Sequence, residues 1–132
     1  MALRDYSDDD YYYDQGFERD GVVSIWVGLN DASNDPEELD VLQDLCGVGY
    51  YELSNQEGNC IDYKLTNLRV LLSEMSYSDS FIDKAIEVAL IKGIKNCKWV
   101  TLQYDFAYEE ERVARTVSSD PIFLGVFPYS CD

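Results

Sequence analysis

Histidine is absent from the 132 residues. Its absence excludes Ser-His-Asp and Cys-His nucleophile systems, imidazole general bases and every zinc site that needs an imidazole ligand. Basic residues are scarce, with ten Lys and Arg against 26 Asp and Glu, for a formal net charge of −16. A surface so poor in cations argues against binding to a phosphate backbone or an anionic lipid surface, so neither nucleic acid nor membrane is an expected partner. No apolar run approaches the ~18 residues that a membrane span requires. The four cysteines, Cys46, Cys60, Cys97 and Cys131, contain no C-x-x-C pair, which excludes thioredoxin-like and zinc-ribbon spacing. No apolar leader-like stretch follows Met1-Ala2-Leu3-Arg4-Asp5-Tyr6. The expectation is a reduced, cytoplasmic protein that uses its cysteines as small apolar residues, although an even count allows two disulfides.

What is present is negative charge in one part of the chain. Residues 1–30 carry a net −5, residues 31–62 carry −9 with no base at all, and residues 63–132 carry only −2. No Lys or Arg occurs between Arg19 and Lys64. A solubility coat would spread its charge more evenly, so the asymmetry points to an oriented field and a positively charged partner.

Residues 1–20, with Asp8-Asp9-Asp10-Tyr11-Tyr12-Tyr13-Asp14 and no aliphatic residue after Leu3, read as an acidic, Tyr-rich arm, flexible or lightly docked. Residues 21–132 read as one α+β domain, a small central, mostly antiparallel sheet packed against two or three helices. Val22 to Val27 is a β-branched and aromatic strand ended by Gly28. Asp35-Pro36-Glu37-Glu38 has the form of a helix start, with Leu39, Leu42 and Leu45 on one face, Glu37, Asp40 and Asp44 on the other, and Gly47 as terminator. Val48–Leu53 and Asn59–Tyr63 suggest a hairpin, while Ile61, Leu65, Leu68, Leu72 and Met75 also fit helical spacing, with a helix capped by Thr66. Ser80 precedes a second, deeply packed helix reaching Lys95-Asn96; Cys97–Tyr104 and Ile122–Phe127 are strands, and Tyr108–Arg115 is a loop or a short helical turn.

Motifs for catalysis are missing. Gly47-Val48-Gly49 lacks the third glycine and the strand-to-helix context of a dinucleotide loop. Neither Asp8–Asp10 nor Asp31–Asp35 has the spacing of a calcium loop. Carboxylate pairs are so frequent that no one pair identifies a general acid and base. The expectation is a protein that is not an enzyme and needs no cofactor or metal. Tyrosine is the positive signal. Eleven are present, several interleaved with acids, as in Tyr50-Tyr51-Glu52, Tyr104-Asp105 and Tyr108-Glu109. Tyrosine offers large contact area at low entropy cost, and carboxylates pair with Lys or Arg across an interface. The candidate contact residues are therefore Asp31, Asp35, Glu37, Glu38, Asp40, Asp44, Tyr50, Tyr51, Glu52 and Glu57.

Three further segments occur in order: Val23-Ser24-Ile25-Trp26-Val27-Gly28, Ser76-Tyr77-Ser78-Asp79-Ser80-Phe81-Ile82, and Ile122-Phe123-Leu124-Gly125-Val126-Phe127-Pro128-Tyr129. With Tyr104-Asp105-Phe106-Ala107-Tyr108, they resemble the immunity protein 22 family of bacterial polymorphic-toxin systems over about residues 21–129. The resemblance implies an α+β protein that binds and neutralises a cognate toxin domain. It brings no functional residues, and the acidic arm lies outside it. The charge pattern suits a basic, nuclease-type toxin, whose substrate groove must be positive. Two other expectations share the same field: a DNA-mimicking, antirestriction-type inhibitor of DNA-binding proteins, and a carboxylate hydrolase using a divalent ion.

Overall fold

A computed structural model describes residues 6–8, 12–13, 15–30, 40–62, 64–113, 117 and 119–130. The chain is α+β, with a four-stranded antiparallel sheet in the order β2-β5-β1-β6 and a separate two-stranded ribbon of β3 and β4. The long strands β1 (Glu18–Gly28), β5 (Trp99–Phe106) and β6 (Ile122–Pro128) come from the apolar, β-branched and aromatic runs of the sequence. The short ones are β2 (Gln56–Asn59), β3 (Thr66–Asn67) and β4 (Asn96–Cys97). Helices α1 (Leu68–Ser73) and α2 (Ile82–Ile91) cover one face of the sheet. There Val23, Ile25 and Val27 of β1 pack with Leu71, Leu72, Phe81, Ala85 and Ala89.

The opposite face is covered too. Trp26, from the alternate positions of β1, lies with Phe17, Leu42, Cys46, Val48, Phe106 and Tyr108. Phe106 reaches this face because Asp105 takes the left-handed conformation at φ 57°. One residue out of extended geometry reverses which side the following side chains take, so Tyr104 faces the helices and Phe106 faces away.

Several elements differ from the sequence expectation. The start of the helix at Asp35-Pro36 lies outside the described residues. Backbone at Asp40 is extended (φ −103°, ψ 112°), and Asp40 itself caps a single π-helical turn, Val41–Leu45, by accepting from the Gln43 amide. No helix therefore runs unbroken through Asp40 to Leu45. Gly47 does end the turn, at φ 74°. Among the described residues, the hairpin expected of Val48–Leu53 with Asn59–Tyr63 does not form. Val48 is buried, with its amide bonded to the Leu42 carbonyl, and Leu53–Asn55 makes a 3-10 turn. Gln56, Glu57 and Gly58, between the two expected strands, pair with β5 instead, together with Asn59. Helix α1 is capped by Asn67, which accepts from the Arg69 amide, while Thr66 is in β3. Ser80, which precedes α2, does not cap it: α2 has no side-chain cap, and Ser80 Oγ accepts from the Ser130 amide at 3.0 Å. Residue 20 is not a structural boundary, because β1 begins at Glu18 and Phe17 is buried in the second core.

Candidate partner-binding surface

Tyrosine hydroxyls hold carboxylates in both halves of the chain. Tyr6 donates to Asp44 at 2.5 Å, Tyr51 to Asp40 at 2.6 Å and Tyr129 to Asp105 at 2.7 Å. Two looser approaches at 3.5 Å join Tyr50 to Glu52 and Tyr104 to Glu57. A carboxylate bonded to a neutral phenol is held in place with its charge intact, whereas a Lys or Arg partner would cancel it. Among the described residues, Asp40, Glu52, Glu57 and Asp105 make no ion pair. The Arg69–Asp83 and Arg112–Glu109 pairs both fall in the near-neutral second half.

Around Asp40 the site is built by three strands of chain that meet. The carboxylate accepts from the Gln43 amide on one oxygen and from Tyr51 on the other. Asp44 accepts from Tyr6 and from the Asp40 amide. Gln43 bridges outward to the Tyr12 hydroxyl at 3.1 Å and to the Gly49 carbonyl at 2.9 Å. The N-terminal segment is fastened here by backbone as well, since the Tyr50 amide donates to the Tyr12 carbonyl at 2.8 Å. Gln15 both receives from the Gly49 amide and donates to the Gly47 carbonyl. Gly49 is needed for this passage, because a Cβ there would lie 2.4 Å from the Tyr12 carbonyl oxygen. Above the anchor, Tyr13 and Tyr50 pack ring to ring at 5.7 Å, with 66% and 45% of their surfaces exposed, and Leu53 is 65% exposed.

Asp40 and Asp44 are thus half-buried anchors and do not stand on a free helical face, as their spacing had suggested. Tyr51 is an anchor as well. Burial, and then its bonded Asp40, push its hydroxyl well above the ordinary value. Tyr50 and Glu52 are exposed and available for contact. Glu57 belongs to a second group: its carboxylate accepts from the Ser76 amide and hydroxyl, beside Tyr104, Tyr77, Tyr129 and Asp105. Asp31, Asp35, Glu37 and Glu38 lie outside the described residues. The residues missing from the sequence expectation are Tyr6, Tyr12 and Tyr13, and in the second group Tyr77, Tyr104, Tyr129 and Asp105. Their signal was visible as tyrosine beside acid, but assigning the N-terminal tyrosines to an arm separated them from Tyr50 and Tyr51.

Other chemistry has little foothold. Cys46, Cys60 and Cys97 are free thiols. Burial raises the Cys46 thiol strongly, followed by Asp40, and burial pushes Cys97 up to about 11. Such thiols are poor nucleophiles at neutral pH. Among the described residues no group of three or more Cys, Asp or Glu side chains could hold a metal ion. A cleft of about 220 Å³ floored by Trp26, Tyr108 and Phe123, with Lys92 and Glu110 among its lining residues, is small for a cofactor. Among the described residues, no helix is long and apolar enough to cross a membrane.

No family model, no curated protein and no solved structure matches the chain.

Proposed function

We propose that this protein is a cytoplasmic immunity-type inhibitor, which binds and neutralises a basic toxin domain, of nuclease type, through its acidic, tyrosine-bearing surface. The observation that carries the proposal is the pairing of Asp40 and Asp105 with tyrosines and, among the described residues, with no Lys or Arg. The arrangement fixes negative charge without cancelling it, beside the exposed rings of Tyr13 and Tyr50. Fixed, unneutralised charge speeds encounter with an opposite surface, and tyrosine at its centre supplies the desolvated contact that slows release. Plugging a groove that must be positive to hold nucleic acid needs both properties. The resemblance to the immunity protein 22 family supports the same proposal.

The test pairs the protein with the C-terminal domain of a secreted protein encoded by the neighbouring gene, where the locus carries one. Co-expression should rescue growth, and association should slow steeply with added salt. Glu52→Lys should lower the association rate about tenfold at low salt, as for steering charges, while Tyr50→Ala should mainly raise the dissociation rate. Rescue unaffected by either substitution would place the contact elsewhere. Comparable inhibition of several unrelated DNA-binding proteins would favour a DNA mimic over an immunity protein.

A further inference from the structure

We propose that the Tyr77–Tyr129 ring stack, with Asp105 at its edge, is a receptor for an arginine side chain of the protein's partner. This deepens the proposal above and rests on its premise that the partner is basic. Three tyrosines from distant parts of the chain make the receptor. Tyr77 and Tyr129 lie nearly parallel, 21° apart, with ring centres 5.4 Å from each other. Both stand at 83° to Tyr104, which is buried and forms the floor. The floor is fixed by the bond from the Tyr104 hydroxyl to the Ser76 carbonyl at 2.6 Å. Tyr129 is fixed by its bond to Asp105. Tyr77 closes the stack with 47% of its surface in solvent.

The chemistry of this surface selects a planar cation. Tyrosine faces are electron-rich, and a guanidinium can stack on one while its fork of N–H donors bonds a carboxylate in the same plane; an ammonium can do only the first. Asp105 supplies the carboxylate. Tyr129 and the Gly21 amide both bond its Oδ1, and no described donor is placed on Oδ2. Among the described residues, no Lys or Arg is paired with Asp105 or Glu57.

Position also fits. Glu57, beside Tyr104, lies five residues along the chain from Glu52, beside Tyr50, so the two groups are separated by at most about 18 Å of extended chain. A partner covering about 800 Å² of this surface would reach both. Tyr77 itself sits in the left-handed conformation at φ 60°. Glycine would hold that backbone with less strain, so the ring is not there to make the turn.

The whole chain is titrated calorimetrically with two peptides of equal length, one all arginine and one all lysine. The arginine peptide should bind about two- to fivefold tighter, the range for an exposed cation–ring contact. Tyr77→Gly, which suits the left-handed backbone, should weaken the arginine peptide more than the lysine peptide and so remove the preference. Asp105→Asn should reduce the preference, and Tyr50→Ala should preserve it. Equal affinity for the two peptides, or a preference that survives Tyr77→Gly, overturns the receptor while leaving the acidic surface intact. Failure of both peptides to bind overturns the receptor and the basic-partner premise together.

Discussion

At the scale of single residues, the tyrosine hydroxyl is the group that makes an acidic surface stable here. Tyr51 is the sharpest case, because its phenol satisfies one oxygen of Asp40 while the Gln43 amide satisfies the other. Hydrogen bonds to a charged group contribute about 1.5–3 kcal/mol, so Tyr51→Phe should lower stability by about that much in denaturant melts. A double-mutant cycle with Asp40→Ala should show coupling, since each substitution removes the same bond. Alkaline pH tests the same bonds. Tyr51, Tyr104 and Tyr108 are all raised above the ordinary tyrosine value of 10 by burial first, with Asp40, Glu57 and Cys46 respectively adding to it. The unfolded chain therefore releases these protons near pH 10 while the folded chain keeps them. Their stabilisation is complete below pH 10 and is lost as pH rises toward the folded values. Denaturant midpoints should fall above about pH 10, and a midpoint unchanged at pH 11 would show that these hydroxyls are not protected. The sequence displays tyrosines next to acids but not which pairs with which. Tyr6 and Asp44 are separated by 38 positions and Tyr129 and Asp105 by 24, and only tertiary contact brings them together.

Among the elements, legibility follows length and apolarity. β1, β5, β6 and α2 carry enough periodic apolar residues to be read directly, because burial of those side chains decides their conformation. The segment from Asp40 to Asn59 departs from its sequence expectation for the opposite reason. Its conformation is set by partners elsewhere: Gln103 Nε2 on the Glu52 carbonyl, Gln15 on Gly47 and Gly49, and β5 on β2. The N-terminal segment was read as an arm because it lacks aliphatic residues, yet aromatics do the same work, with Phe17 packed against Phe106 and Tyr108. Phe17→Ala should therefore cost about 3–5 kcal/mol, the range for removing a buried phenylalanine. Gly49→Ala isolates the docking of that segment, since its methyl would collide with the Tyr12 backbone. The expected result is loss of hydrogen-exchange protection at the Tyr50 amide, which donates to the Tyr12 carbonyl, with β1 and β5 protection retained. Retained protection at Tyr50 would mean that the segment can shift without release.

For the whole molecule, −16 is a cost to folding unless something else uses it, because like charges repel more strongly in the compact state. The tyrosine bonds hold these carboxylates in place but leave their charges standing. The near-neutral half carries its own ion pairs and places α1 and α2 on the far side of the sheet. Among the described residues, Asp40 and Asp44 stand at the turn that supplies Leu42 to the second, more aromatic core. Screening should expose the repulsion directly. The Debye length shortens from about 30 Å at 0.01 M salt to about 10 Å at 0.1 M, so the melting temperature should rise over that interval, before any specific ion effect operates. Glu52→Lys, at an exposed position without an ion partner, should raise the melting temperature at low salt and flatten its salt dependence. That substitution should at the same time slow association with the toxin. A variant that gains stability while losing partner encounter would show that the charge is kept for binding against the preference of the fold. One that loses both would show instead that Glu52 is structural, held by Ser54 and Tyr50 for the sake of the turn.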